Sequence, residues 1–202
     1  YARLYRQGIP MVFVSGLVEG LRVPSAGTNE ELGTRLAVDH LVSLGHRRIG
    51  LANGALSYRP SVNRLKGFIE GLARNGLTIE PALQRSSPYT MDGARASAEK
   101  LLRAGATAIV CGSDVMAVGV AEAVRELGLR VPDDVSIVGY DDGALAAHAN
   151  PPLTTLRQPI GRIADATAQA MDDLLTRRPL VRLHQRFDPT LVQRESTGPA
   201  PR

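Results

Sequence analysis

Five polar or aromatic side chains follow predicted strands and carry groups suited to holding a small, hydroxyl-bearing molecule. They are Tyr58, Arg64, Tyr89, Ser113 and Asp141. Arg64 offers a planar fork of donors and Asp141 offers two acceptor oxygens, so together they could clamp vicinal hydroxyls or an amide-bearing ring. The tyrosine rings could stack on the C–H face of a sugar or on a base. We therefore predict reversible binding here, through charged hydrogen bonds of about 1.5–3 kcal/mol each.

Each of these residues also has a purely structural interpretation, and the residues alone leave both open. Arg64 could pair with a nearby surface acid, and Asp141 could cap a turn through its own backbone. Ser113 precedes a predicted helix and suits an N-cap. The two tyrosines could anchor a loop or face solvent. Asp142, beside Asp141, could stabilise the turn that follows it.

Motifs for catalysis, nucleotide binding and metal binding are missing from the sequence. No G-x-S-x-G, G-x-G-x-x-G or Walker A pattern occurs. The four histidines lack the H-E-x-x-H and H-x-x-E-H spacings, and His46 is interpreted as a structural residue at a helix–strand turn. Cys111 is the single cysteine and lies in an apolar run, which predicts a buried thiol. We expect no enzyme activity, no cofactor and no metal site.

The composition is that of a globular protein with a polar surface. The 202 residues are 44% hydrophobic and 22% charged, with a net charge of +4. Nearly all cations are arginines scattered among acids, which favours a solvated surface over a nucleic-acid patch within this chain. No apolar run approaches the roughly 18 residues of a membrane helix, and the first residues lack a signal-peptide core. We expect no contact with membranes.

Predicted strands and helices alternate along the chain, which is typical of right-handed β-α-β units with a parallel sheet. Predicted strands cover 11–14, 49–52, 82–86, 107–111 and 135–140, and predicted helices cover 30–44, 61–75, 90–102, 114–127 and 160–175. Two short strand-like pieces flank Pro189. The apolar centre of Thr107–Cys111 indicates a strand covered on both faces. Because ligands bind at the carboxyl ends of such strands, the candidate residues are expected at one edge of the sheet.

This order of elements predicts an α/β fold class with two Rossmann-like lobes. We assign 26–158 plus 186–197 to a C-terminal lobe and 1–25 plus 159–185 to an N-terminal lobe that is incomplete in this chain, with 198–202 as a tail. The opening units of the N-terminal lobe are expected upstream of Tyr1. PPLTTLRQP, Pro151–Pro159, is interpreted as an extended crossover that acts as a hinge between the lobes.

Six strings, in chain order, resemble the lactose-repressor (LacI/GalR) family of bacterial transcriptional regulators. They are LVSLGHRRIGLANG, RLKGFIEGL, CGSDVMAVGV, VPDDVSIVGYDD, PPLTTLRQP and the closing VQREST. The resemblance covers nearly the whole chain. It implies a periplasmic-binding-protein-like type I fold with a small effector between its lobes, a sugar or related polyol rather than a nucleobase. It also implies a cytoplasmic homodimer whose operator DNA is read by a helix-turn-helix that this chain lacks.

The effector contacts of that family map onto positions already singled out. Arg64 precedes the G-F pair of its helix, Tyr89 follows the next strand, and Asp141 is the first acid of G-Y-D-D. Ser113 precedes the D-x-M-A helix where many members carry asparagine, so a shorter contact is implied. Gln158 matches a further polar contact of some members. As a regulator, the protein would use its effector to bias a dimer between DNA-competent and DNA-incompetent states.

Two other functions share parts of this pattern. An extracytoplasmic sugar-binding protein of a transporter has the same two-lobed fold. An enzyme could use a Rossmann-like lobe on a sugar or nucleotide. The G-Y-D-D and T-T-L-R-Q-P strings favour the regulator over the transporter component, and none of the standard catalytic motifs supports the enzyme.

Overall fold

A computed structural model describes residues 1–18, 20–180 and 182–201 of the chain, and these residues divide into two units. Unit 1 consists of Tyr1–Asn29 and Pro159–Pro189. Unit 2 consists of Glu30–Gln158 and Thr190–Arg202. The candidate binding residues all belong to unit 2.

Strands and helices alternate as the sequence predicts. The strands are β1 Phe13–Val14, β2 Ser25–Thr28, β3 Ile49–Gly54, β4 Gln84–Ser87, β5 Ala108–Cys111, β6 Ser136–Asp141, β7 Thr154–Arg157, β8 His184–Phe187 and β9 Thr190–Val192. The helices are α1 Ala2–Arg6, α2 Glu30–Ser43, α3 Arg59–Arg74, α4 Met91–Arg103, α5 Asp114–Glu126, α6 Ala144–His148 and α7 Ile160–Leu175, with a 3-10 turn at Pro81–Leu83. The pieces predicted around Pro189 are β8 and β9, whereas β2, α6 and β7 have no predicted counterpart.

Unit 2 is built on a six-stranded sheet with the strand order β4-β3-β5-β6-β7-β9. Every neighbouring pair is parallel except β7 and β9. The chain moves from β3 outward to β4 and then returns to the other side of β3 as β5. This reversal places a topological switch point between β3 and β5, where open parallel sheets bind their ligands.

Helices cover both faces of this sheet, and alternation along each strand separates two cores. In β5, Ile109 and Cys111 pack in the core that includes α4 and α5, whereas Ala108 and Val110 pack in the core that includes α2 and α3. All four side chains are buried, as predicted for a strand covered on both faces. Burial also raises the pKa of the Cys111 thiol, which is part of the core as predicted.

Two glycines determine how closely the helices pack on these faces. A Cβ atom on Gly67 of α3 would lie 2.3 Å from the carbonyl oxygen of Glu31 in α2. A Cβ atom on Gly119 of α5 would lie 2.3 Å from the carbonyl oxygen of Met91 in α4. A side chain at either position would push a helix pair apart. The first contact also holds the opening turn of α2 against α3, which matters for the site described below.

The segment PPLTTLRQP differs from the predicted extended crossover. Its centre is β7, which pairs in parallel with β6 and in antiparallel with β9. Residues 154–156 are completely buried. Most of the segment is therefore a strand of the sheet, hydrogen-bonded on both sides, and the hinge between the lobes stays a prediction. Only Gln158 and Pro159 lie where the chain passes from unit 2 to unit 1.

Unit 1 contains the three-stranded parallel sheet β1-β2-β8 together with α1 and α7. β2 and β8 pair over four residues, beginning with Ser25 opposite His184. The guanidinium of Arg162 in α7 lies 4.7 Å from the ring centroid of Phe187. Because both paired strands belong to unit 1, that unit extends to residues 29 and 189 rather than to the lobe boundaries predicted at 25 and 185.

Candidate functional site

Four of the predicted residues form one contiguous group beside the carboxyl ends of β3 and β5. Arg64 Nη1 donates to the Tyr89 hydroxyl at 3.3 Å and to the carbonyl oxygen of Gly112, the residue before Ser113. The Tyr58 ring lies edge-on to the Tyr89 ring at a centroid distance of 6.0 Å. Tyr89 is half-buried, whereas Tyr58 is 58% exposed. The topology of the sheet thus joins residues that the sequence separates widely.

Asp141 and Gln158 form a pair at the end of the neighbouring strand β6. Gln158 Nε2 donates to Asp141 Oδ1 at 2.7 Å. Asp141 follows Tyr140, whose ring carries the Arg64 guanidinium at 3.8 Å, so the pair adjoins the first group. Burial raises the pKa of the Asp141 carboxyl, against the lowering effects of the Gln158 hydrogen bond and the Arg64 charge. All six predicted residues therefore lie at one edge of unit 2.

The two acids of G-Y-D-D have different structural roles. Asp141 and Asp142 adopt φ angles of 113° and 57°, a strained backbone that persists only where the surroundings hold it. Asp142 accepts hydrogen bonds from Arg157 Nε and Arg194 Nη2, both at 2.6 Å. Burial raises the pKa of Asp142, but these two arginines outweigh it and hold the pKa below its usual value. Asp142 thus fixes the backbone from which Asp141 projects.

Arg64 has a buried partner, Glu30, that the sequence did not identify. Arg64 Nε donates to Glu30 Oε2 at 2.8 Å, and the two side chains are 8% and 4% exposed. Burial by itself lowers the pKa of Arg64, but the Glu30 charge and hydrogen bond, together with Tyr140 and Tyr89, outweigh this and raise it. Arg64 does pair with an acid, as the structural alternative predicts, but the acid is buried and not on the surface. The two residues lie 34 positions apart, and no sequence signal beyond helix packing could have joined them.

Two tyrosines frame the Arg64 guanidinium. Tyr140 is buried beneath it, and the Tyr140 hydroxyl lies beside the ion pair without a hydrogen bond of normal geometry. Burial raises the pKa of Tyr140 well above its usual value. The Tyr89 hydroxyl shares a hydrogen bond of 2.7 Å with Ser61 Oγ. A Cβ atom on Gly54 would meet the Tyr89 ring at 2.0 Å, so a glycine is required where this ring covers the end of β3.

Ser113 and Asp114 open α5 at the end of β5. The Ser113 hydroxyl accepts from the backbone N–H of Met116 at 3.2 Å and so caps the helix, as the structural alternative predicts. Asp114 is buried and accepts from Thr155 Oγ1 at 2.6 Å and from the backbone N–H of Gly143 at 2.9 Å. Burial raises the pKa of Asp114 to about 6 against these hydrogen bonds. Asp114 therefore ties α5 to the loop after β6, a role that sequence reasoning missed.

Two kinds of feature are not found in the part of the chain that the structure describes. No group of three or more histidine, cysteine, aspartate or glutamate side chains there could hold a metal ion. No helix there is both long enough and apolar enough to cross a membrane.

Comparison with known proteins gives a consistent set of relatives. The profile of the periplasmic binding protein-like domain family matches residues 38–197. The HTH-type transcriptional regulator MalR of Streptomyces coelicolor is 40% identical over 205 residues, which cover 100% of this chain and 60% of that protein. The chain spans about three fifths of the length of the curated relatives it matches.

Solved structures of similar fold are also transcriptional regulators. A LacI family transcriptional regulator from Mycobacterium smegmatis is 32% identical, with a TM-score of 0.87 over 98% of this chain and 73% of that one. A complex of the transcriptional regulator CelR with cellobiose is 30% identical, with a TM-score of 0.90 over 96% of this chain and 60% of that one. These relatives support neither a transporter component nor an enzyme.

Proposed function

The chain belongs to the LacI family of transcriptional regulators, and we propose that it is the effector-binding and dimerisation core of a cytoplasmic repressor that senses a sugar. The observation that carries the proposal is the clustering of Arg64, Tyr89, Asp141 and Gln158 at one edge of the parallel sheet in unit 2. Operator DNA would be bound by a helix-turn-helix elsewhere in the protein. The named relatives are HTH-type or LacI-family regulators, which supports this assignment.

The site offers a sugar both donors and acceptors. Among the described residues, Arg64 Nη2 and Asp141 Oδ2 have no hydrogen-bond partner, and both groups are charged. Charged hydrogen bonds are the stronger kind, and vicinal hydroxyls can satisfy a donor and an acceptor together. The exposed ring of Tyr58 provides an apolar face for stacking. This combination suits a polyol better than an apolar ligand.

The candidate site is directly connected, through one hydrogen bond, to the residue at which the chain leaves unit 2. Gln158, which holds Asp141, is the last residue of unit 2 before the chain enters unit 1. A ligand that engages Asp141 in one conformation more strongly than in another would shift the population toward that conformation. In a dimer, this preference would change the affinity for operator DNA by the same coupling free energy. Val115 and Leu145 are exposed apolar side chains in α5 and α6 that a second copy could cover.

The proposal is tested by replacing Asp141 in the full-length protein. Asn keeps the shape and tolerates a positive φ, so Asp141→Asn removes the charge with little change in the fold. We expect a tenfold to hundredfold loss of affinity for the effector, equivalent to about 1.5–3 kcal/mol for a charged hydrogen bond. Calorimetric titration with a sugar panel that begins with cellobiose, followed by operator-binding assays with and without the sugar, measures it.

The matched control is Asp133→Asn, at an exposed acid paired with Arg130 in the same unit. It should leave effector affinity and operator release unchanged. Effector binding to Asp141→Asn at the affinity of the unmodified protein would contradict the assigned role of Asp141. A protein that binds operator DNA but responds to no sugar would contradict the proposed effector class.

A further inference from the structure

Glu30 occupies an unusual place for a carboxylate in a sugar site. It is the first residue of α2, where the partial positive charge of the helix N-terminus stabilises an anion. The close contact between Gly67 and the Glu31 carbonyl holds this turn against α3. Glu30 is thereby buried at the side of Arg64, in the candidate site rather than on the surface. Its charge must therefore act on whatever Arg64 binds.

Most of the binding capacity of Arg64 is already used within the protein. Nε donates to Glu30, and Nη1 donates to the Gly112 carbonyl and the Tyr89 hydroxyl. The guanidinium face lies on the ring of Tyr140. Only Nη2 lacks a partner among the described residues. Arg64 can therefore donate hydrogen bonds to a ligand, but its positive charge is compensated at a distance of 2.8 Å by a carboxylate.

Asp141 and the arginines that contact Asp142 are further charged groups at this edge of unit 2. Burial is the main cause of the raised pKa of the Asp141 carboxyl; the Arg64 charge lowers this pKa, and the charge of the nearby Glu30 raises it by a smaller amount. Arg157 of β7 and Arg194, which follows β9, both bind Asp142. An anionic ligand at this edge would be repelled by the carboxylates of Asp141 and Glu30. Arg64, Arg157 and Arg194 would not offset this repulsion, because each of them is already paired with an acid. Like charges brought together at an interface cost several kcal/mol and so discriminate between ligands.

We propose that Glu30 makes this site selective for uncharged, hydroxyl-bearing ligands and excludes their phosphorylated or carboxylated counterparts. Glu30 does this by neutralising Arg64 while leaving its Nη2 group as a donor to a hydroxyl. The inference rests on the proposed sugar-binding function and specifies the ligand class of the same site. It makes Glu30 a specificity-determining residue.

The test compares neutral sugars with their anionic counterparts on the full-length protein at constant ionic strength. The probes are glucose with glucuronate and glucose 6-phosphate, and cellobiose with cellobionate. Thermal shift identifies binding, because a ligand of the native state alone raises the melting temperature, and calorimetry gives Kd. We expect at least one neutral sugar to bind and its charged counterparts to bind at least about tenfold more weakly, a difference of roughly 1.4 kcal/mol.

The variant Glu30→Gln removes the compensating charge while keeping the size of the side chain. We expect the affinity for the neutral sugar, divided by the affinity for its anionic counterpart, to fall at least about tenfold in this variant. The reason is that Arg64 then carries an unpaired positive charge. Glu30→Asp keeps the charge and should keep the discrimination. The matched control is Glu31→Gln, which removes an acid from the same helical turn where it pairs with Lys66 at 3.2 Å, and it should leave the ratio unchanged.

The outcomes separate this inference from the proposed function. An anionic probe that binds the unmodified protein as tightly as its neutral counterpart overturns the role of Glu30 and leaves sugar binding intact. An unchanged ratio in a folded Glu30→Gln variant overturns it as well. If Glu30→Gln does not fold, the comparison on the unmodified protein still decides. If neither the neutral nor the anionic sugars bind, the proposed function itself is contradicted. The proposed selectivity of Glu30 is then contradicted as well.

Discussion

At the scale of single residues, the buried Glu30–Arg64 pair and the strained Asp141–Asp142 turn are the features on which the proposed binding site depends. A buried ion pair contributes little net stability, because the loss of hydration of both charges offsets their attraction. The small net stability expected of such a pair is consistent with the proposed role of Glu30 in ligand selection. Asp142 is also paired with cations, and its two arginines hold the positive-φ backbone from which Asp141 projects.

Loss of one partner of the buried pair should be costly. Arg64→Met leaves the Glu30 carboxylate buried and uncompensated, and we expect about 3–5 kcal/mol lower free energy of unfolding. The double variant Arg64→Met with Glu30→Gln should be less destabilised than Arg64→Met alone. Urea unfolding of the three proteins measures both effects. Lys66→Met, in an exposed pair with Glu31, is the control and should stay within about 1 kcal/mol. A double variant less stable than Arg64→Met would argue against an uncompensated charge as the cause.

Asp114 should make stability depend on pH in the mildly acidic range. Its pKa in the folded protein is raised to about 6 from 3.8, so the folded state binds more protons than the unfolded state between these values. The contribution of Asp114 to stability is therefore fully present below pH 3.8 and lost as the pH rises through 6. In Asp114→Asn the amide oxygen can still accept from the Gly143 N–H, while the amide nitrogen would donate to the Thr155 hydroxyl instead of accepting from it. The variant should gain up to about 3 kcal/mol relative to the unmodified protein between pH 4 and pH 7. Denaturant unfolding across this range measures the difference, and a constant difference would refute the shift.

At the scale of elements, two glycine contacts position the helices that carry the site. Gly67 lets α2 approach α3, which brings Glu30 to Arg64 across 34 residues of chain. Gly119 lets α4 approach α5 on the other face of the sheet. Helix periodicity predicts these helices from the sequence. It does not predict how closely two of them approach.

Alanine at these glycines should destabilise the protein, although alanine ordinarily favours helices. Gly67→Ala and Gly119→Ala place a Cβ atom 2.3 Å from a backbone oxygen, so a helix must move. We expect each to cost about 1–3 kcal/mol from overpacking. Gly161→Ala in α7 has open space around its Cβ and should be neutral or stabilising by up to about 1 kcal/mol. Thermal unfolding compares the three variants. Gly67→Ala should also weaken effector binding. An unchanged Kd for the effector would show that the contact between α2 and α3 does not influence the site.

At the scale of the whole molecule, the chain returns to unit 2 at Thr190 and adds β9 as an edge strand of its sheet. β9 pairs with β7, and Gly198 bonds to Ser136 and to the completely buried His46. The predicted tail at 198–202 is thus attached to unit 2 through at least residue 200, whose N–H donates to the Leu44 carbonyl. His46 also bonds to Thr107, which confirms its structural role at a helix–strand turn. One buried imidazole therefore joins three distant parts of unit 2.

The His46 connection should weaken in acid. Burial lowers the pKa of His46, against a raising effect of the Gly198 carbonyl, so the unfolded state binds more protons below about pH 6.5. Its stabilising contribution is present above pH 6.5 and lost as the pH falls through the lower folded pKa. We expect His46→Gln to cost about 1–3 kcal/mol at pH 7.5 and less at pH 5. Urea unfolding at both pH values measures this. His148→Gln, at an exposed residue, is the control, and an equal cost of His46→Gln at both pH values would count against the idea.

The sequence by itself determined the alternation of elements, the bounds of α7, the buried centre of β5 and the identity of the residues at the strand ends. These follow from short-range periodicity and from the rule that parallel strands end at one edge. Only the tertiary structure decided that PPLTTLRQP contains a buried strand, that Asp142 is structural beside Asp141, and that Glu30 neutralises Arg64. The reason is physical: sheet pairing, a strained turn and a buried ion pair depend on partners far away in the chain. Local pattern carries no information about which residues those partners are.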